Sequence, residues 1–150
     1  MSEVQNNLEF ENVQIGFKNL SGTEGPFNKN GDRNFVVFLE PDMAHDLADQ
    51  GWNVKFPVEN KDDEYKRLPY LPVGVSYEPY PPKIAVINNG VPTILSEQQV
   101  GMLDYAEIET VDLVVRPYNW TVNGQTGVKA YAKAMYVTIA TDRFSAKYDI

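Results

Sequence analysis

Short apolar segments, each ended by turn-forming residues, recur along most of this chain. In Leu8–Phe17 apolar and polar residues alternate, which predicts a strand with one buried face. The apolar run within Asn34–Glu40 predicts a strand that is buried on both faces. Further strands are predicted at Asn53–Val58, Tyr70–Tyr77 and Lys83–Asn88, the last two separated by a proline-rich break that cannot continue a ladder. Strands that follow one another this closely predict a mainly β protein.

Two short helices interrupt the predicted strands. Pro41–Gln50 begins with a proline, which the first helical turn tolerates, and is followed by a glycine, which favours the end of a helix. Ser96 and Gln99 form a capping-box pattern at the start of Glu97–Leu103, which predicts the second helix.

The clearest element is a long β-hairpin in the last third of the chain. Val111–Val122 and Val128–Ile139 are strand-like and flank Asn123-Gly124, the dipeptide that type I′ hairpin turns prefer. If these two residues form the loop, position 118 lies opposite position 129, and position 116 lies opposite position 131. Register and side-chain direction are therefore predicted together.

The order of these elements predicts the fold class. Grouped strands with two short helices and no βαβ alternation indicate an antiparallel β-barrel, closed or partly open. An OB-like barrel ending in the long C-terminal hairpin suits a chain of 150 residues. We expect one domain over residues 1–150, with flexible ends at 1–7 and 140–150.

The predicted register divides the hairpin into two faces, because successive strand residues point to opposite sides. The first face is aliphatic and small, belongs on a core, and consists of Val111, Leu113, Val115, Ala130, Ala132, Ala134 and Tyr136. The second face is mostly aromatic and basic, and includes Arg116, Tyr118, Trp120, Lys129, Tyr131, Lys133 and Met135.

The second face has the residue types that a single-strand binder needs. Bases of any identity stack on tyrosine or tryptophan, at about 1–3 kcal/mol per base. Neighbouring cations contact phosphates and release counterions. The alternative is structural, since cross-strand pairs of this kind stabilise a hairpin by about 0.2–1 kcal/mol without a ligand. On that interpretation the face is solvated surface or a protein interface.

Five further residues are candidates for the same interface: Arg33, Trp52, Lys55, Tyr70 and Tyr77. Arg33 opens a strand and is placed to meet a phosphate or to pair with Asp32 or a loop carbonyl. Trp52, close to Lys55, is a stacking candidate, although tryptophan in a small protein more often packs in the core. The two tyrosines belong to residues 65–83, a second aromatic stretch of net positive charge.

Charge alone argues against a nucleic-acid ligand, because the formal net charge is −8. The acids are segregated, however. Residues 40–64 carry eight acids and residues 97–112 carry five. Residues 113–141, in contrast, carry three basic residues and no acid. The predicted hairpin is therefore almost free of acids, and the distribution of charge matters more than its sum.

Catalytic residues are not indicated. There is no cysteine and one histidine, so neither a zinc site nor a thiol nucleophile is expected. The sequence lacks a P-loop and a dinucleotide fingerprint, and nothing selects a pair of carboxylates for glycoside chemistry. We expect a protein that is not an enzyme and has no cofactor or metal. Without a signal peptide or a long apolar segment, it is expected to be soluble and cytoplasmic.

Several local motifs carry a resemblance to a known family, and these are Gly31-Asp32-Arg33-Asn34-Phe35, Gly51-Trp52-Asn53-Val54-Lys55, Arg116-Pro117-Tyr118-Asn119-Trp120, Val122-Asn123-Gly124 and Gly127-Val128-Lys129-Ala130-Tyr131. From about Phe10 to Ile139 the chain resembles small single-stranded DNA-binding proteins of tailed phages and prophages. The resemblance implies an OB-type barrel that coats and protects single-stranded DNA during phage replication or recombination, in the cytoplasm of an infected bacterium.

The resemblance also implies partners. Many phage and bacterial single-strand binders are acidic, and many recruit replication proteins through an acidic C-terminal tail. Residues 141–150 are balanced in charge, so the chain departs from that pattern and recruitment through such a tail is in doubt. Replication or recombination proteins and a second copy of the chain remain candidate partners.

Two other functions fit the aromatic hairpin. A phage structural or assembly protein would use it as an interface between subunits. A carbohydrate-binding module would use the exposed rings as a sugar platform, although the interleaved arginine and lysines disfavour it. Salt separates these readings, since only nucleic-acid binding should weaken strongly as salt rises.

Overall fold

The fold was analysed in a computed structural model, which describes residues 4–26, 31–57 and 68–140. Within these ranges it has one α-helix, α1 (Pro41–Asp49), and a short 3-10 helix, Val100–Asp104. The eight strands are β1 (Leu8–Val13), β2 (Ile15–Asn19), β3 (Arg33–Phe38), β4 (Tyr70–Val75), β5 (Lys83–Asn88), β6 (Val91–Ile94), β7 (Ile108–Val122) and β8 (Gln125–Ile139). The mainly β prediction is confirmed.

The strands form a single open sheet with the order β1-β7-β8-β4-β3-β2, and β5 pairs with both β8 and β6. The prediction of an antiparallel barrel, closed or partly open, needs one correction in strand direction, and its closed alternative is not seen among the described residues. β8 runs parallel to both β4 and β5. Neither β4 nor β5 is joined to β8 by a hairpin, because other strands and the 3-10 helix lie between them in the chain. Among the described residues, β1 and β2 end the pairing order without pairing to each other.

β1 and β2 replace the single strand that was predicted at Leu8–Phe17. Asn12 adopts a left-handed backbone conformation with φ of 53°, which asparagine tolerates better than most residues. Its N–H donates to Oδ1 of Asp112 at 2.9 Å, and the register with β7 shifts between Phe10 and Val13. The resulting bend sends β1 to pair with β7 and β2 to pair with β3.

β8 lies in the middle of the sheet and contains a bulge at Lys133. Where β7 advances from Val114 to Val115, β8 passes from Ala134 to Ala132, so Lys133 is the extra residue. The bulge reverses the faces that strict alternation predicts. Met135, assigned to the outer face, is fully buried, and the side chains at 134 and 136 turn away from the core.

The core is built on one side of the sheet. Its largest fully buried side chains are Phe35, Leu20, Leu39, Leu71, Ile84, Leu103, Leu113 and Met135, and each contributes about 1.5–3 kcal/mol of hydrophobic stabilisation. The helix α1 adds Ala44 and Leu47, whereas Met43 is 46% exposed. The predicted second helix is a single 3-10 segment that starts later, and it buries Val100 and Leu103.

Two other differences from the predicted elements concern the segment at residues 53–58 and the strand β6. The predicted strand Asn53–Val58 is reduced to isolated bridges that join Trp52 to Val128 and Lys55 to Tyr70; Val58 lies outside the described residues. The short strand β6 was not predicted. Neither helix in the described part of the chain is long and apolar enough to cross a membrane.

At the N-terminal end, Val4 is held by two hydrogen bonds to the β7 side chain of Asn119, at 3.0 and 2.7 Å. Residues 1–3 and 141–150, which belong to the ends that were predicted to be flexible, lie outside the described residues.

Candidate nucleic-acid interface

The side of β7, β8, β4 and β3 that points away from the buried core is called the outer face here. Arg116 lies opposite Tyr131, Tyr118 opposite Lys129, and Trp120 opposite Gly127. This is the register that the Asn123-Gly124 turn predicts, and it is confirmed. The aromatic and basic side chains of the hairpin therefore share one side of the sheet.

Tyr131 is the centre of a cluster of four side chains. The Cζ atom of Arg116 lies 4.8 Å from the centre of its ring, and Nζ of Lys129 lies 4.7 Å from it. Both distances are within the range of a cation–π interaction. The ring of Tyr118 meets that of Tyr131 edge to face at 6.0 Å and is 53% exposed. These four residues, Arg116, Tyr118, Lys129 and Tyr131, are the Tyr131 cluster.

Two glycines let rings of the outer face lie directly against the sheet. A Cβ atom on Gly74 of β4 would lie 2.9 Å from Cε1 of Tyr131, and one on Gly127 would lie 2.5 Å from Cζ2 of Trp120. Real side chains do not approach so closely, so each ring rests on the bare backbone of a neighbouring strand. Contact with the backbone on one side fixes the position of each ring on the outer face.

The face continues beyond the cluster toward the C-terminal half of β8. Lys133 is exposed at the bulge, and Nζ of Lys83 lies 5.8 Å from the ring centre of Tyr136. Tyr80, 68% exposed, lies 5.7 Å from Cζ of Arg116. Tyr136 was assigned to the core face in the sequence analysis. The bulge at Lys133 turns it outward, and no sequence pattern predicts that bulge. Tyr80 and Lys83 lie within the second aromatic stretch noted above.

A cleft of about 390 Å³ opens beside the Tyr131 cluster and is lined in part by Lys129 and Tyr131. Across it, Nη1 of Arg33 forms a salt bridge with Oε1 of Glu97 at 3.1 Å, and the Arg33 guanidinium lies 5.5 Å from the ring centre of Tyr77. Arg33 thus lies near the predicted interface with its charge already matched by a carboxylate. The alternatives expected from the sequence were a phosphate, Asp32 or a loop carbonyl; the salt bridge is instead with Glu97, which the sequence did not indicate.

Tyr77 is half-buried in this cleft. Burial raises the pKa of its phenol above the ordinary value; the Arg33 guanidinium opposes this effect and the Glu97 carboxylate adds to it. The phenol therefore keeps its proton at neutral pH and is available as a hydrogen-bond donor. Its Oη atom and Nε of Arg33 are buried and have no hydrogen-bond partner among the described residues.

Trp52 does not belong to the interface. It is 3% exposed and packs in the core, so neither side of its ring is open to a base, and the stacking role predicted for it is wrong. The reason is the bridge to Val128, which fixes the segment so that Trp52 faces inward. Lys55, three residues later, faces outward and is exposed.

Lys55 and Tyr70 form a separate part of the outer face. They are paired through two backbone hydrogen bonds, of 2.8 and 3.0 Å, so their side chains lie on the same side. Tyr70 is at the start of β4, whereas Gly74, which supports Tyr131, is near its end. The structure brings the predicted residues of the hairpin together with those of the cleft. Lys55 and Tyr70 lie apart from that group, at the other end of β4.

Comparison with known proteins gives one family and one group of structures. The family model described as "Putative phage ssDNA-binding domain" matches residues 1–150. The fold is similar to the single-stranded DNA-binding protein from bacteriophage Enc34 with its C-terminus truncated, at a TM-score of 0.57 and 11% identity over 95% of this chain and 94% of that chain. The same phage protein in complex with ssDNA matches at a TM-score of 0.57 and 12% identity over 96% of each chain. No curated protein matches the sequence significantly.

Proposed function

Because this chain belongs to the family of phage ssDNA-binding domains, its ligand is single-stranded DNA, and we propose that it holds the strand on the outer face of the hairpin. In this proposal bases stack on Tyr118, Trp120 and Tyr131. Arg116, Lys129 and Lys133 contact the phosphates. The strand is bound without regard to sequence, because every base offers a π-face and no base-edge contact is needed.

The Tyr131 cluster is the observation that carries this proposal. Two cations lie within 5 Å of one ring centre, and an exposed tyrosine stands beside it. The cations hold the ring in place before DNA arrives, so less conformational freedom is lost on binding. Each stacked base then contributes about 1–3 kcal/mol, and each cation that meets a phosphate releases counterions.

The cleft is the proposed continuation of this surface. A phosphate that enters it would compete with Glu97 for Arg33, and the protonated phenol of Tyr77 would donate to a phosphate or base oxygen. The buried Oη of Tyr77 and Nε of Arg33 lack partners among the described residues, which supports a role for both in holding a ligand.

We further propose that the open sheet is an OB-like barrel and that residues 1–150 are one domain. β1 and β2, the two ends of the pairing order, are separated in the chain by Gln14 alone. The covalent chain thus joins the two edges that hydrogen bonds leave unpaired, which is the arrangement of a partly open barrel. A DNA-binding surface on the outside of such a barrel is consistent with a binding protein that is not an enzyme. Its proposed role is to coat and protect phage DNA in the cytoplasm of an infected bacterium. Replication or recombination proteins are its proposed partners.

Titration with oligo-dT tests the proposed interface. We expect Tyr118→Ala and Trp120→Ala each to weaken binding by about 1–3 kcal/mol while the thermal unfolding midpoint stays close to that of the wild type. Tyr105→Ala is the matched control, because Tyr105 is 89% exposed but lies in the connection between the 3-10 helix and β7. If both hairpin variants bind like the control, the hairpin is not the DNA-binding surface and is better explained as a protein interface.

A further inference from the structure

A second aromatic surface lies on β2, β3 and β4, away from the hairpin. Its lining residues form a groove of about 590 Å³ and are Phe17, Phe38, Pro57, Leu68 and Tyr70. Phe17 is 71% exposed and Leu68 is 46% exposed. Among the described residues, the lining of the groove carries no charged side chain. This set of five residues is called the Phe17 surface.

Its three rings form one packed unit. The ring centres are 6.1 Å apart for Phe17 and Phe38, 5.9 Å for Phe17 and Tyr70, and 6.4 Å for Phe38 and Tyr70, all edge to face. Phe38 rests on Gly16, where a Cβ atom would lie 2.7 Å from its Cε2. The outer face therefore repeats at this end the ring-on-glycine packing of Tyr131 and Trp120.

Phe17 is turned outward by its backbone. Its φ is 45°, in the left-handed region that bulky residues rarely adopt, and the β2–β3 register shifts between Gly16 and Asn19. Without this irregularity, Phe17 would follow the alternation of Ile15 and would point toward the core side. Instead, a large apolar ring is left in solvent at a conformational cost, which indicates a function other than packing.

The Phe17 surface is continuous with the proposed DNA-binding surface along β4. In β4, Leu71 and Val73 are buried on the core side. Because strand residues alternate, Tyr70 and Gly74 both lie on the outer face, and Gly74 is the residue against which Tyr131 rests. Gly74 is four positions after Tyr70 in the strand, a distance of about 13 Å. Lys55 pairs with Tyr70 and projects on the same side, so this end also combines rings with a cation.

We propose that the Phe17 surface is a second stacking station for the same DNA strand, with bases on Phe17 and Tyr70 and a phosphate on Lys55. This proposal rests on the proposed function. The strand then runs along β4 from the Tyr131 cluster to the Phe17 surface. At about 3.4 Å per stacked nucleotide, the 13 Å between the stations spans about four nucleotides, so both are engaged by strands longer than about six.

Single-stranded DNA is favoured over a protein occupant by continuity with the Tyr131 cluster. The groove lies on the outer face at the start of β4, and the Tyr131 cluster lies against Gly74 near the end of that strand. Two charged residues near the groove are exposed, Lys55, which pairs with Tyr70, and Glu40, which follows Phe38 by two residues. Rings that are held edge to face, with one of them largely exposed, offer flat surfaces to bases. A footprint of this length falls within the range of about 4–16 nucleotides that single OB-type domains cover.

The test compares strand lengths and side chains at Phe17. Affinities of the full chain for dT4 and dT16 are measured for the wild type, Phe17→Ala, Phe17→Leu and Phe17→Trp. We expect Phe17→Ala and Phe17→Leu to bind dT16 about 5- to 100-fold more weakly and to bind dT4, which settles on the Tyr131 cluster, like the wild type. Phe17→Trp restores binding to dT16, because stacking needs a ring and not merely an apolar side chain.

Tyr118→Ala separates this proposal from the proposed function. If Tyr118→Ala weakens binding to both lengths and Phe17→Ala weakens neither, the second station is overturned and the hairpin interface stands. If neither variant responds, both proposals fail. If Phe17→Leu binds dT16 like the wild type, or Phe17→Ala alters the sedimentation coefficient of the DNA-free protein, the surface is apolar packing or a contact between copies, and the stacking proposal is wrong.

Discussion

A methyl group added at Gly74 should weaken DNA binding without unfolding the protein. The Cβ of alanine at this position would lie 2.9 and 3.1 Å from two ring carbons of Tyr131 and 3.4 Å from Cε of Lys129. The backbone of Gly74 does not have a positive φ, so alanine fits the main chain. The added methyl group therefore acts on the Tyr131 cluster and lifts its central ring away from β4.

The expected effects on stability and on binding differ in size. Alanine in a strand is favoured over glycine by about 0.5–1 kcal/mol, because it loses less conformational freedom on folding. Overpacking typically costs about 1–3 kcal/mol, and a half-buried ring that swings outward relieves most of that cost. We expect the free energy of unfolding to change by less than about 1 kcal/mol, whereas loss of one fixed stacking face costs about 1–3 kcal/mol of binding, about 5- to 150-fold in Kd.

The assay is oligo-dT titration beside urea unfolding, with Gly25→Ala as the matched control. Among the described residues, a Cβ on Gly25 would have no neighbour within 4 Å, so this variant makes the same chemical change without a contact to them. Tyr131→Ala and the double variant with Gly74→Ala complete a cycle. Because both changes act through one ring, their effects on binding should not add. Wild-type affinity in Gly74→Ala, or full additivity in the double variant, would refute a fixed stacking role for Tyr131.

Three further predictions concern charge and the two tryptophans. Glu97→Gln releases Arg33 from its salt bridge, and we expect a higher affinity for oligo-dT at constant salt; equal or lower affinity would count against a phosphate in the cleft. Lys129→Gln should reduce the slope of log Kd against log salt concentration by about 0.7. Titrations at about six salt concentrations, from about 50 to about 300 mM, measure this slope. In Trp52→Phe the remaining fluorescence, from Trp120, should still be quenched by oligo-dT, whereas in Trp120→Phe the buried Trp52 should not respond; the reverse pattern would contradict the assignment of both residues.

Local signals in the sequence were enough to predict the hairpin. The Asn123-Gly124 dipeptide fixes a two-residue turn, and once the turn is fixed every cross-strand pair up to the bulge follows by counting. Arg116 opposite Tyr131 and Tyr118 opposite Lys129 are therefore predictable from a few residues. The strands β4 and β5 are likewise found from apolar runs bounded by turn residues.

What escaped prediction depends on contacts between distant segments. The bulge at Lys133 lies where β8 stops pairing with β4 and starts pairing with β5, and no property of residues 130–135 alone announces that exchange. Arg33 is paired with an acid 64 residues away. Trp52 carries no alternating pattern to reveal its direction, which its bridge to β8 decides. The outward turn of Phe17 results from an irregularity in β2 that the sequence does not signal.

The acidity of the chain is compatible with a DNA ligand because charges act over short distances in salt. The Debye length is about 8 Å at physiological ionic strength, so a bound strand responds chiefly to the side chains of the outer face. There the proposed phosphate contacts are with three basic residues of the hairpin and with Arg33 and Lys55. A nearby acid, Asp112, already accepts a hydrogen bond from the N–H of Asn12. Five phosphate contacts give a salt slope of only about 3.5. Stacking on fixed rings must then supply most of the affinity, which explains why so many of the outer-face rings are held against glycine.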